Sequence, residues 1–344
     1  MDDEYPDEEA YLEEGEDWEE DEWIEDEWVE GEESGIIEDL VGFLFYDEPE
    51  DCYEDEIYDE VDHLCYLAEE NMDGWLEDYL PEIFEDKPFA GSEDYAEINE
   101  NILITYSVEG NNLISPELST DVPQELTKYQ NETEMHQKAW SYFTILIPMQ
   151  NRSWITHYVI FTDGKEETMA WVEPENENLQ TWQLGLDIVD AENPTELTYT
   201  LIHEFGHLLT LNPTQIDPDA NACSFYQVQE GCSHENSYLN DFYAAFWTSI
   251  YDEWDDIQYE EDDEVFYERL DAFYYKYEDQ FVTDYAATNP EEDIAEAWTH
   301  FVLKEKPDGN TIAEEKVLFF YNYPELISLR GEIATRTASR LRRK

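Results

Sequence analysis

Between Asn193 and Asn212 the chain has little freedom in what it can fold into. Asn193-Pro194-Thr195-Glu196 supplies an N-cap side chain, a proline at the first helical position and a glutamate at the third, and Asn212-Pro213 supplies the stop. Leu197, Leu201, Phe205 and Leu208 recur at the helical period, so one face of this helix is made for a core. The opposite side carries His203-Glu204-Phe205-Gly206-His207. Its two imidazoles stand one turn apart on one side, the spacing at which both reach a single tetrahedral metal ion. Glu204 projects beside them, where a carboxylate can take a proton from a metal-activated water. The pattern predicts metal-assisted peptide hydrolysis.

A catalytic zinc ordinarily has three protein ligands and an open position. A histidine six residues beyond His207, with a glycine three beyond it, would mark the metzincin arrangement, but Pro213 and Thr210 stand there. The remaining common solution is a carboxylate from a later helix. Asn289-Pro290 opens such a helix, running to about Lys304, and Glu291-Glu292-Asp293-Ile294-Ala295-Glu296 offers candidates, with Glu292 and Glu296 on a shared face. Glu292 is also the third helical position, where a glutamate can act as a capping-box residue and leave ligation to Glu296.

These residues resemble the gluzincin group that includes the anthrax lethal factor, the Pro-Pro endopeptidases and many bacterial zinc metallopeptidases. The matching segments are His203-Glu204-Phe205-Gly206-His207 and Tyr285-Ala286-Ala287-Thr288-Asn289-Pro290-Glu291-Glu292-Asp293-Ile294-Ala295-Glu296. In that group a tyrosine lies seven residues before the metal-binding glutamate, and a second glutamate follows one turn later. The resemblance implies a zinc ion, one per chain, held by His203, His207 and Glu292. It further implies Glu204 as general base, Tyr285 as a donor to the tetrahedral intermediate, and Glu296 as support behind the ligands. It spans roughly Trp140 to Leu303. Eighty-four residues separate His207 from Glu292, more than in the lethal-factor pattern, so 213–280 is expected to be an insertion between the metal ligands.

Elsewhere the organisation follows composition. Residues 1–35 form an acidic stretch in which Trp18, Trp23 and Trp28 recur every five residues, a period of neither helix nor strand, so a disordered tail is expected. An alternative is a docking or inhibitory arm for a cationic protein, held by charge and tryptophan anchors. Region 36–94 reads as an acidic accessory part with short helices. A zincin-like domain over 95–329 is expected to start with β-rich runs, at Ile102–Tyr106 and Tyr142–Ile147. Trp154–Phe161 and Thr168–Val172 follow as a hairpin turning at Thr162-Asp163-Gly164-Lys165, and Thr181–Val189 as a further strand. Residues 330–344 form a basic tail, lying across the acidic body or free.

The 90 acidic and 16 basic residues give a formal charge of −74, which disfavours nucleic acid and anionic lipid as partners. No run reaches the roughly 18 apolar residues of a membrane span, and no N-terminal basic start with an apolar run marks a signal peptide; the compartment stays open. Cys223 and Cys232 either close a local loop or remain thiols. His234 beside them, and His300 one turn after Glu296, are weaker candidates, while Asp187 and Asp190 read as strand-end and turn residues. The fold expected is α+β: a small twisted sheet of three to five strands, the active-site helix against it, and a helical C-terminal part. The function expected is a zinc-dependent peptidase acting on a peptide or protein substrate. Its rival is a degenerate zincin-like binding protein whose acidic arm engages a basic partner.

Overall fold

Leu103 and Ile104 are adjacent in sequence and both buried, in a strand whose alternate side chains point to opposite faces of its sheet. The register of their strand against its neighbour slips between Ile102 and Ile104, a bulge that leaves Leu103 as the extra residue. The strand belongs to a computed structural model that describes residues 52–59, 64–67, 76, 100–164, 168–220 and 222–342.

In chain order the described elements begin with β1 (Glu56–Asp59) and β2 (Leu64–Leu67), an antiparallel pair. Next come β3 (Asn101–Glu109), β4 (Asn112–Leu118), α1 (Thr127–Asn131), α2 (Thr133–Leu146), β5 (Ile155–Thr162), β6 (Ala170–Pro174) and β7 (Trp182–Asp187). The long helix α3 (Pro194–Leu211) follows, then three short strands, β8 (Ile216–Asp217), β9 (Gln227–Val228) and β10 (Gly231–Ser233). The remainder is helical: α4 (Tyr238–Phe242), α5 (Tyr251–Ile257), α6 (Asp263–Lys276), α7 (Pro290–Leu303), α8 (Ile312–Phe319) and α9 (Pro324–Arg342). The fold is α+β, and no described helix is long and apolar enough to cross a membrane.

The main sheet has the order β4-β3-β5-β7-β6, with β5 and β7 parallel and every other pair antiparallel. On β7, Gly185 faces Trp171 of β6; a β-carbon there would stand 2.2 Å from the indole, so only glycine admits this ring, which stacks on Phe161. β6 is an edge strand, and α3 lies against it. α7 packs on α3, and α8 and α9 pack on α7.

Several expectations are corrected. Tyr142–Ile147 is not a strand: Tyr142 to Leu146 end α2, a helix buried on every side from Ala139 onward, so no polar face marks its period. β5 and β6 are not a hairpin, because β7 inserts between them; Gly164 does adopt the expected left-handed turn, at φ 105°. The described residues of 36–94 are chiefly the β1–β2 pair, tied by the Cys52–Cys65 disulfide, with buried Leu76 helical. The stretch expected as an insertion after Pro213 contains the sheet β8-β10-β9, with a Cys223–Cys232 disulfide. The basic tail is not a separate segment, since α9 runs through it to Arg342 with Arg336 and Arg340 buried. Residues 1–35 lie outside the described residues.

Candidate metal centre

Two capped helix starts set the site. The Asn193 side chain accepts from the Thr195 and Glu196 amides at 3.1 and 3.3 Å, and Pro194 occupies the first helical position of α3. At α7 the Asn289 side chain accepts from the Glu292 amide at 2.8 Å, again with proline following. Asparagine satisfies amides that a helix start leaves without partners, and proline has none to satisfy there. The two helices close on each other at Gly206, whose missing side chain admits Ala295 and Trp298 of α7.

This packing brings His203 and His207 of α3 to Glu292 of α7. The Nε2 atoms of the histidines are 3.0 Å apart, and Oε2 of Glu292 is 3.0 Å from His203 Nε2 and 3.1 Å from His207 Nε2. Three donor atoms thus form a nearly equilateral triangle. A tetrahedral zinc with bonds of about 2.0–2.1 Å separates its ligand atoms by about 3.3 Å, so the triangle is a few tenths of an ångström tighter than a loaded site. Two imidazoles and one carboxylate are a donor set that zinc takes in catalytic sites, and the residues present fit it. The Glu292 carboxylate reaches the histidines across the helix interface, which separates it from a pure capping role.

Glu296, one turn on, does not join the triangle. Its Oε1 accepts from His203 Nδ1 at 2.7 Å, and its Oε2 accepts from the hydroxyls of Tyr199 and Thr283, each at 2.6 Å. The side chain is buried, and an isolated carboxylate so placed costs several kcal/mol. Three hydrogen bonds to a charged group, each worth about 1.5–3 kcal/mol, offset that cost. Burial would raise the Glu296 carboxyl, but His203 and both hydroxyls hold it below its ordinary value. Burial likewise works against charge on Glu292, yet His207 and His203 hold it far below the usual range. On the imidazoles burial acts downward and the carboxylates of Glu292 and Glu296 outweigh it at His203; Glu292 does the same at His207.

Glu204 is buried and close enough to His203, His207 and Glu292 to feel their charges. Burial pushes its carboxyl up, while the two histidines and the Val172 amide of β6 pull it down. Tyr285 sits in a short helical turn, Tyr285–Ala287, with its ring 5.9 Å from that of His203 and 47% exposed. Its hydroxyl is pushed up by desolvation and by Glu292, Glu204 and Glu296, so it keeps its proton at neutral pH and can donate.

The weaker candidates fall elsewhere. Cys223 and Cys232 are joined to each other, and His234 faces the Pro213 carbonyl at 3.4 Å. His300 is buried and packs edge-on to Tyr199. Asp187 accepts from the amides of Asp163, Val189 and Asp190, the strand-end role its position suggests, although Asp163, Asp187 and Asp190 come together. Sequence reasoning missed Tyr199 and Thr283. Tyr199 stands one turn before His203 on the ligand face, a spacing that could have flagged it; Thr283 carries no such signal, because its role depends on how the turn before α7 folds. No family model matches the chain, and no curated protein and no solved structure is found to be similar to it.

Proposed function

We propose that this protein is a zinc-dependent peptidase of the gluzincin type, with His203, His207 and Glu292 holding one zinc ion. The observation that carries the reading is the convergence of three ligand atoms from two helices 85 positions apart in sequence, beside the buried carboxylate of Glu204. Zinc, when bound, supplies a Lewis acid that polarises a carbonyl and makes water acidic enough to attack it near neutral pH. Glu204 takes the proton of the attacking water and returns it to the departing amine; burial pushes its carboxyl up, which strengthens it as a base. Tyr285 donates its phenolic hydrogen to the oxygen that gains charge as the carbonyl is attacked. Glu296 keeps a hydrogen on His203 Nδ1, which directs the Nε2 lone pair toward the triangle.

The convergence of His203, His207 and Glu292, with Glu204 buried next to His203 in sequence, supports a catalytic reading over the degenerate binding-protein one. Metal analysis of the purified full chain, beside His203→Ala, tests the proposal. About one zinc per chain that disappears in the variant is the expected result. A wild type that takes up no zinc on addition would remove the peptidase reading.

A further inference from the structure

Glu296 is held from three directions, and two of the groups that hold it belong to no ligand set. Tyr199 lies one turn before His203 on α3, and its hydroxyl donates to Glu296 Oε2 at 2.6 Å. Its ring is fixed edge-on against His300, 6.4 Å between centroids, so the hydroxyl has little freedom to move. Thr283 approaches from the segment before α7 and donates to the same Oε2 at 2.6 Å. A hydroxyl donates one hydrogen and accepts through its lone pairs. Thr283 uses both capacities, because its Oγ1 also accepts from the Ala286 amide at 3.1 Å. Ala286 directly follows Tyr285 in the short helical turn, and the amide of Tyr285 itself is held by the Asp284 side chain at 2.8 Å.

We infer that Tyr199 and Thr283 are positioning residues: their hydroxyls clamp Glu296 Oε2 so that Oε1 is aimed at His203 Nδ1, and Thr283 ties that carboxylate to the turn presenting Tyr285. The inference rests on the metalloenzyme reading above and adds to it a physical link between its two halves. The metal side consists of His203, His207 and Glu292; the side that steadies the reacting carbonyl consists of Tyr285. Both are referred to one carboxylate through bonds of 2.6–3.1 Å. Removing the Tyr199 hydroxyl leaves Oε2 one donor and lets the carboxylate turn about its last bond, which loosens the aim of Oε1 at the imidazole. Removing the Thr283 hydroxyl does the same and also releases the Ala286 amide. The first change is therefore confined to the metal side, and the second reaches both.

A purely structural role predicts something different: the hydroxyls would satisfy a buried anion, and their loss would lower stability without altering how the histidines meet zinc. The test uses the full chain and zinc itself. Zinc affinity is measured by competition with a chromophoric chelator for the wild type, Tyr199→Phe, Thr283→Val and Thr283→Ser, with thermal midpoints taken in the absence of zinc. Backbone hydrogen exchange is followed over residues 283–288. Tyr199→Phe and Thr283→Val are expected to weaken zinc on the order of 10- to 100-fold, the usual effect of losing a group behind a ligand. Thr283→Ser, which keeps the hydroxyl, restores it. Faster exchange at Ala286 appears in Thr283→Val and not in Tyr199→Phe. Zinc affinity equal to wild type in both Tyr199→Phe and Thr283→Val overturns the inference even if their zinc-free midpoints fall. A wild type that binds no zinc at all overturns the metal reading and this inference with it, so the two failures are told apart.

Discussion

Gly206 of α3 lies so close to Ala295 of α7 that a β-carbon on it would stand 3.1 Å from the Ala295 Cα and 3.1 Å from the Trp298 ring. The neighbour that must give way is backbone, so α7 has to retreat by a few tenths of an ångström, and Glu292 and Glu296 travel with it. Gly206→Ala gains about 1 kcal/mol in helix propensity but overpacks a contact for which about 1–3 kcal/mol is typical. The expected outcome is a modestly lower thermal midpoint together with weaker zinc binding. If the variant binds zinc as tightly as the wild type, this contact does not set the ligand spacing.

Glu204 is buried and Glu292 partly buried near the same two histidines, yet they should fail differently. Glu204→Gln preserves shape and removes the base, so zinc content should stay near one per chain while turnover falls by at least about 10²- to 10⁴-fold. Glu292→Ala removes a corner of the triangle and should impair zinc retention itself. Measurable turnover at the wild-type rate by Glu204→Gln would end the proposed division of labour. Full zinc occupancy in Glu292→Ala would move the third ligand to Glu296.

The parts of this fold that were legible in the sequence are those fixed by local chemistry. Asn193-Pro194 and Asn289-Pro290 announce their helices because capping is a matter of adjacent residues, and the ligand helices run from Pro194 to Leu211 and from Pro290 to Leu303. Where the deciding partner is distant, the sequence is silent or misleading. Tyr142 to Leu146 look like a strand because a helix buried all round has no amphipathic period to display. The pairing of β5 with β7 rather than β6 is set by sheet order, which no single segment encodes. The C-terminal arginines read as a basic tail, either across the acidic body or free, whereas Arg330 donates to the carbonyls of Phe301 and Lys304 at the end of α7 and Arg336 stands over the Tyr66 ring. In the site itself the five-residue pattern and the Tyr285-to-Glu292 spacing were readable. The clamp of Tyr199 and Thr283 on Glu296 was not.

His300 provides a pH signature. Burial, then the nearby Lys304, depress its imidazole from 6.5 to about 3, with Glu296 opposing. The unfolded chain therefore binds the proton first, and the contribution to stability is present above pH 6.5 and lost as pH falls toward 3. The slope for one such group is at most about 1.4 kcal/mol per pH unit. Glu291, raised by burial to about 7, acts with the opposite sign, so the total curve mixes both. The difference between wild type and His300→Gln isolates the histidine. Urea unfolding from pH 7 to pH 4 should show the wild type losing stability relative to the variant as the solution is acidified. Parallel curves would mean that folding leaves the His300 imidazole unshifted.

Lys316 and Asp293 form an ion pair that is completely buried, Nζ to Oδ2 at 2.5 Å, and the Trp247 indole donates to the same oxygen at 2.7 Å. Burial pushes the Asp293 carboxyl up to about 6 and the Lys316 ammonium down, against the attraction of each for the other. The ammonium also lies 4.0 Å from the centre of the Phe281 ring, which lowers the cost of burying it. Such a pair adds little to stability compared with a well-packed apolar pair, but losing one partner strands the other. Lys316→Met should therefore cost about 3–5 kcal/mol, since Asp293 Oδ1 already has no hydrogen-bond partner and Oδ2 would keep only the indole. Adding Asp293→Asn should recover most of the loss, because a neutral amide oxygen still accepts from Trp247 and leaves no buried charge. Denaturant unfolding of the two single variants and the double variant measures the coupling. Asp293 follows Glu292 in sequence, so the strut also holds the start of α7, and zinc affinity should fall in Lys316→Met and return in the double variant. Additive effects of the two substitutions would mean that the pair does not act as a unit.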